Sequence, residues 1–338
     1  MKTNKVKKKG KIIFFVLLTL LLLYFILRKD FFQIVHEILN INLFWLLVSI
    51  FLIFAYWFFR AIILHKVVLS FKANYTFKKA FRLQMITQFF NAVTPFASGG
   101  QPFQIYSLKK DGISYNDGAN IVVQEFIVYQ IALVFLGIFA ITYNYFFPLF
   151  PEVALLEHLV TLGFIINFMV IVFLFILAFV KKFDTFLLKL AVNLLKKFHL
   201  IKNKKEVLER WNTQIDNFNT GAKKLINNKY HFFHLIFLEI VSLLSLYLIP
   251  CTLLYGMGDY TSITGFKTII TSAYVMLIGS FVPIPGGTGG LEYGFLAFFG
   301  NFIKGPILKA LMLLWRFITY YFGMIVGAIA FNWKGDRK

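Results

Sequence analysis

The chain has 338 residues, of which 59% are hydrophobic and only 15% charged, far below the roughly 25% charged content of an average soluble domain. Water is therefore not its main solvent, and a soluble enzyme is excluded. A formal net charge of +20 raises nucleic acid as a partner, a reading that stands or falls on where the charge lies. Cys251 lies inside an apolar run as the single cysteine, which excludes an intrachain disulfide and a Cys-based metal site.

Taken in chain order, residues 12–27 form an apolar run behind a basic stretch. The sequence Leu27-Arg28-Lys29-Asp30 offers no small-residue cleavage site, so the run is expected to stay as a membrane anchor rather than leave as a signal peptide. Residues 43–64, 119–147, 158–180, 232–255 and 306–331 follow as further apolar runs. Each approaches or exceeds the roughly 20 residues that cross about 30 Å of hydrocarbon as a helix. Two other apolar stretches, 80–108 and 266–303, are broken in the middle. The first break reads Thr94-Pro95-Phe96-Ala97-Ser98-Gly99-Gly100-Gln101-Pro102, the second Val282-Pro283-Ile284-Pro285-Gly286-Gly287-Thr288-Gly289-Gly290. Residues 80–91 would span about 18 Å at 1.5 Å per residue, which reaches the bilayer midplane and predicts a re-entrant hairpin. Residues 266–281 and 291–303 are longer, about 24 Å and 20 Å, so two short crossings stay open there as an alternative.

Basic residues set the orientation, because short cytoplasmic loops are enriched in Lys and Arg. With the N-terminus inside, most of the 35 Lys and Arg fall in segments 1–11, 65–82, 109–118, 181–230 and 332–338. Both termini and the 181–230 loop are then cytoplasmic. The excess charge is a topology signal for the cell membrane, and nucleic-acid binding loses its support. Residues 181–198 are expected to lie on the membrane as an amphipathic helix. Lys181, Lys182, Lys189, Asn193, Lys196 and Lys197 share one face and Phe183, Leu187, Leu190, Leu194 and Phe198 another. This suits an anionic lipid surface, with docking of a lipid-modifying enzyme as the second reading of the loop.

Placing the hairpins on this topology gives the same element order twice in opposite orientation. Residues 12–147 form one unit and 158–331 the other, within a single transmembrane domain over 1–338. The expected fold is an all-α polytopic membrane protein with six crossing helices and two Pro/Gly-broken re-entrant hairpins in an inverted repeat, an architecture of secondary transporters.

Unwound backbone at this depth has to be buried in protein or line a wet cavity, because an unpaired N–H or C=O costs several kcal/mol in hydrocarbon. Gly99-Gly100 and Gly286-Gly287 can take positive φ and bring a ligand close to the main chain, and Pro102 suits the first turn of a returning helix. The N-termini of the returning helices would offer N–H groups to an anion such as a phosphodiester. Candidate substrate-binding residues are Gln88, Asn91, Thr94, Pro95, Ser98, Gly99, Gly100, Gln101, Pro283, Pro285, Gly286, Gly287, Gly289, Gly290 and Glu292. Tight turns and close helix packing are the competing account of the same glycines.

Glu125, Glu239, Glu292 and Arg316 sit inside apolar segments, where a charge costs at least about 2.5–3.5 kcal/mol unless it is paired or faces a polar cavity. Arg316 with Glu292 is the expected pair. A static salt bridge and a role in headgroup binding or proton coupling both account for this network. Arg60 and Arg82 are placed near the cytoplasmic boundary, snorkelling to water. Gln84, Gln88 and Asn91 recur at near-helical spacing and are candidates to face the cavity.

The glycine-rich second break lacks the Gly-Lys-Ser/Thr ending of a phosphate-binding loop, and neither a His-Glu-x-x-His zinc motif nor a Gly-x-Ser-x-Gly nucleophile turn occurs. No cofactor is called for. The segment 91–102 ending in Pro102, Gly112-Ile113-Ser114, Glu125, and the segment from Pro283 through Leu291-Glu292 together resemble the flippase-like transmembrane region of lysylphosphatidylglycerol synthases. The resemblance covers roughly residues 12–331. In full-length synthases a cytoplasmic domain transfers lysine from charged tRNA to phosphatidylglycerol, and the membrane region translocates the product. The resemblance therefore implies the translocating half without the synthase.

The leading expectation is a non-enzymatic flippase for phospholipid or glycolipid headgroups, aminoacylated phosphatidylglycerol among them. A membrane-embedded headgroup transferase of the lysyltransferase kind and a scaffold for a lipid-modifying enzyme are the other classes. A second copy of the chain is a further partner left open.

Overall fold

The computed structural model describes residues 30–150, 154–180, 188–190, 192–196, 203–279, 282 and 284–333. All regular structure among them is helical. Helix α1 (Phe31–Leu39) is short, and α2 (Leu43–Leu69) is the first long helix. The first hairpin consists of α3 (Phe77–Ala92), a 3-10 turn at Pro95–Ala97 and α4 (Gly100–Lys110). Helices α5 (Tyr115–Phe146), α6 (Ala154–Phe179) and α7 (Lys204–Asn227) follow. Then come α8 (Lys229–Tyr247) and α9 (Ile249–Gly256). The second hairpin is α10 (Gly265–Gly279), a 3-10 turn at Pro285–Gly287 and α11 (Gly290–Phe299). Helix α12 (Gly305–Arg316), a π-helical segment Phe317–Phe322 and α13 (Gly323–Asn332) close the fold.

Five helices among the described residues are long and apolar enough to cross a membrane: Leu43–Leu69, Tyr115–Phe146, Leu156–Leu177, Lys229–Gly256 and Gly305–Asn332. These are the five runs expected after residue 40; the run at 12–27 lies outside the described residues. Two of the five are less regular than their composition suggests. The fourth breaks at Leu248, because Pro250 in the first turn of α9 has no N–H to continue the ladder of α8. The fifth carries the π segment, which places an extra residue in the turn directly after Arg316.

Helix starts follow ordinary capping chemistry. Asn42 Oδ1 accepts the Phe44 N–H at 2.9 Å, Ser114 Oγ accepts that of Asp117 at 3.1 Å, and Asn228 Oδ1 that of His231 at 3.1 Å. Large apolar side chains cover the outside, including Phe44, Phe51, Phe58, Phe135, Phe139, Met169 and Phe237. Such a surface is not soluble, and it is what a membrane protein presents to lipid chains.

Every hairpin arm falls short of a bilayer. At 1.5 Å per residue, α3 and α4 reach about 24 Å and 16 Å, and α10 and α11 about 22 Å and 15 Å, against roughly 30 Å of hydrocarbon. Helix α3 packs between α2 and α13, and α10 against α5, α6 and its own partner α11. The two 3-10 turns touch each other, so the two breaks meet.

Gly327 makes the seat for α3 on α13. A Cβ there would lie 2.5 Å from the Met85 carbonyl oxygen and 2.8 Å from Phe89 Cβ, atoms of a facing helix that cannot step aside. Gly327→Leu is expected to destabilise by about 1–3 kcal/mol, the usual cost of overpacking, read as a lower melting temperature in detergent. Gly118→Ala is the control, since its Cβ would meet Ile105 at an ordinary 3.6 Å.

In the basic loop, residues 188–190 and 192–196 are helical; Leu188 and Val192 are buried, while Leu190 and Leu194 are exposed beside Lys189, Asn193 and Lys196. The rest of the expected amphipathic face, Lys181, Lys182, Phe183, Leu187, Lys197 and Phe198, lies outside the described residues. Helix α7 is held to the bundle by Gln124, whose Nε2 donates to the Gly221 carbonyl at 3.2 Å.

Candidate functional site

The first break begins where α3 runs out of N–H donors. Thr94 is extended (φ −121°, ψ 145°), as a residue before proline must be, and Pro95 starts a single 3-10 turn. Thr94 Oγ1 donates to the Phe90 carbonyl at 2.7 Å and accepts the Gly99 N–H at 2.8 Å; Asn91 Oδ1 accepts the Gly100 N–H at 2.9 Å. These bonds correct the expectation that Gly99 and Gly100 take positive φ and present free N–H groups. Gly99 is in the right-handed region at φ −78°, and the positive φ falls on Ala97 at 51°. The glycines are there because a Cβ at Gly99 would strike Thr94 and one at Gly100 would strike Asn91 and Thr87.

The second break does use positive φ, at Gly286 (68°), Gly287 (63°) and Gly289 (88°). Its returning helix α11 brings its own anion: Glu292 Oε2 accepts the Gly289 N–H at 2.6 Å, so a carboxylate already occupies the positive end of the helix. Glu292 Oε1 lies 2.7 Å from Arg316 Nε, the pair expected from the sequence, and both side chains are buried. The Nε–H bond points off that oxygen, so the contact is a charge pairing rather than a straight hydrogen bond. Arg316 Nη2 donates to the Gly286 carbonyl at 2.9 Å, and the guanidinium sits 4.8 Å from the Tyr320 ring centroid. The Tyr320 hydroxyl donates to the Ala92 carbonyl at 2.9 Å, which ties the π segment to the end of α3.

A second charged cluster faces the first. Arg60, expected to reach water, has protein partners: its Nη1 lies 3.7 Å from Glu239 Oε1 and donates to the Tyr56 hydroxyl at 3.3 Å, with Tyr129 5.2 Å away beneath the guanidinium. Its side chain is 20% exposed against 2% for Glu239. Glu125 is buried as well and accepts from Gln104 Nε2 at 3.2 Å. Arg82 also has protein partners, donating to the Ala330 and Trp333 carbonyls at the end of α13.

Both clusters open on one cavity of about 620 Å³ between the hairpins. Of the residues expected from sequence, Gln88, Asn91, Ser98, Gln101, Gly286, Gly287, Glu125 and Arg316 line it. Thr94, Pro95, Gly99, Gly100, Pro285, Gly289, Gly290, Glu292 and Glu239 do not line it, nor does Gln84, which is buried. Pro283 lies outside the described residues. Sequence reasoning missed Tyr56, Gln104, Tyr129, Gln130, Asn167, Tyr247 and Tyr320 as lining residues, and misplaced Arg60. Gln104, Gln130 and Asn167 carried a usable signal, an amide inside an apolar helix.

The cavity has the size of a small-molecule site, with apolar walls and a few convergent polar groups. Leu133, Val275, Leu291, Phe295 and Trp315 supply apolar wall, and the amides, arginines and Glu125 the polar groups.

Comparison with known proteins matches the same length of chain. The model of the lysylphosphatidylglycerol synthase TM region matches residues 12–327. The chain is 25% identical over 273 residues to a UPF0104 membrane protein of Archaeoglobus fulgidus, with 77% of each chain covered. The protein is thus a membrane protein that belongs to the family of the lysylphosphatidylglycerol synthase TM region.

Proposed function

We propose that the protein is a lipid flippase that moves phospholipid or glycolipid headgroups, aminoacylated phosphatidylglycerol among them, across the cell membrane without modifying them. The observation that supports this reading is the 620 Å³ cavity at the junction of the two broken hairpins, with Arg60, Glu125 and Arg316 on its wall. A headgroup would travel through the polar cavity while its acyl chains stay against the apolar outer surface.

In this reading the hairpins are re-entrant and the run at 12–27 supplies a sixth crossing. Units 12–147 and 158–331 are an inverted repeat in one transmembrane domain. The termini and the 181–230 loop face the cytoplasm, where the basic residues meet anionic lipid. Gln88, Asn91, Ser98, Gln101, Gly286 and Gly287 contact the headgroup. Thr94, Pro95, Gly99, Gly100, Pro285, Gly289, Gly290 and Glu292 hold the shape of the two turns.

The test is reconstitution into phosphatidylcholine/phosphatidylglycerol vesicles carrying a trace of headgroup-labelled fluorescent lipid, with a membrane-impermeant quencher reporting the outer leaflet. Wild-type protein is expected to make the inner-leaflet label accessible. Gln101→Leu, which replaces a cavity amide and leaves the break's hydrogen bonds alone, is expected to slow that exchange about tenfold, equivalent to roughly 1.4 kcal/mol. Exchange no faster than in empty vesicles would overturn the flippase reading.

A further inference from the structure

The Arg60 cluster does not balance. Arg316 and Glu292 neutralise each other, whereas Arg60 faces two carboxylates, Glu239 on α8 and Glu125 on α5. Among the described residues the other groups around Glu125 are neutral: Gln104 from α4 donates to it, Tyr75 lies nearby in the segment before α3, and Tyr56 from α2 and Tyr129 from its own helix line the same cavity. Tyr247 lies about two turns beyond Glu239 on α8 and lines the same cavity as Glu125. One negative charge is left over in a site where both carboxylates are buried.

The hydrogen bonding is incomplete in the same place. Glu239 Oε1, Arg60 Nε and the Tyr247 hydroxyl are buried with no hydrogen-bond partner. Glu239 is 2% exposed and Tyr247 1%. An orphaned carboxylate oxygen in a buried site with a surplus negative charge calls for one more positive charge.

We propose that Glu125 and Glu239 share one exchangeable proton, and that this proton is the coupling ion for movement through the cavity. A proton fits better than a metal ion. A sodium ion would need several oxygen ligands, but Gln104 turns its N–H towards Glu125 and Arg60 offers only donors. Two buried carboxylates set against a single cation cannot both ionise cheaply, so the site holds one proton. Glu125 lines the cavity and Glu239 does not, so exchange runs through Glu125. Its carboxylate takes a proton from cavity water to become the neutral acid, and releases it to water to return to the carboxylate. Buried carboxylates on such a path are the usual proton carriers of membrane transporters.

The coupling half rests on the transport reading above; the titration half does not. The titration is read by infrared difference spectroscopy of the purified full chain in phosphatidylcholine/phosphatidylglycerol bilayers. Wild type is expected to show one protonated-carboxyl band that grows as pH falls and is indifferent to replacing sodium by choline. Glu125→Gln and Glu239→Gln each leave one carboxylate against Arg60, a neutral pair, so either substitution alone removes the band. Arg60→Met removes the cation, so the band persists to higher pH. A purely structural ion pair would give none of these shifts. Absence of the band in wild type at every pH, its survival in the Glu125→Gln/Glu239→Gln double variant, or its dependence on sodium would each overturn the proposal. In the vesicle assay a pH gradient is expected to bias the labelled lipid toward one leaflet for wild type and not for Glu125→Gln. A gradient-blind wild type that still exchanges lipid would overturn the coupling while leaving the flippase reading intact.

Discussion

Arg316→Met is expected to destabilise the protein by about 3–5 kcal/mol, the cost of stranding one partner of a buried ion pair. The methionine keeps most of the side-chain volume, so the loss is electrostatic rather than a cavity effect. Glu292 would then hold its charge with only the Gly289 N–H as partner, at 2.6 Å. The Gly286 carbonyl would lose its donor at 2.9 Å, and the Tyr320 ring its cation at 4.8 Å. Glu292→Gln should be milder, because the amide oxygen can still accept from Gly289 and Arg316 keeps its bond to Gly286. The decisive measurement is the double variant Arg316→Met/Glu292→Gln, which removes both charges together. Its melting temperature in detergent should lie well above the value expected from adding the two single losses. Additive losses would mean that the two side chains do not depend on each other, and the 2.7 Å pairing would have no energetic content.

How much of this arrangement was legible in the sequence depended on the kind of signal. Long apolar runs and Pro/Gly interruptions are read directly from residue type, and both hairpins and the five described long helices fall where those signals stand. The Arg316–Glu292 pair was legible because two opposite charges deep in hydrocarbon have few other ways to be stable. Arg60 was misread for a geometric reason. Composition along one apolar run cannot show that Glu239, 179 residues further on, packs against Arg60 at 3.7 Å. The first break was misread for a different one. Two adjacent glycines suggest positive φ, yet at 99 and 100 they are needed for closeness to Thr94, Asn91 and Thr87, and the strained φ sits on Ala97. Tyr56, Tyr129 and Tyr247 left no trace that composition could use, because among 16 Tyr and 44 Phe an aromatic residue facing a cavity looks the same as one facing lipid. Only the packing of α2 against α8, and of α5 against both, brings those three rings to one place.

Gly286→Ala should produce the second-largest loss from the smallest change, a single methyl group. The residue sits at φ +68°, where an L-residue pays about 1–2 kcal/mol, and the new Cβ would lie only 2.3 Å from Tyr320 Cε2, against the edge of the ring. Tyr320 cannot move away without breaking its hydroxyl's bond to the Ala92 carbonyl, the link between the π segment and the first break. Adding about 1–3 kcal/mol for overpacking brings the expected destabilisation to about 2–5 kcal/mol. Gly258→Ala separates the two contributions, because Gly258 has a similar φ of +85° but open space around its Cβ position; it should show the backbone cost alone. Tyr320→Ala in the Gly286→Ala background makes room for the methyl and should recover part of the loss, although Tyr320→Ala by itself is destabilising. If Gly286→Ala cost no more than Gly258→Ala, the Tyr320 ring would not be wedged against the second break.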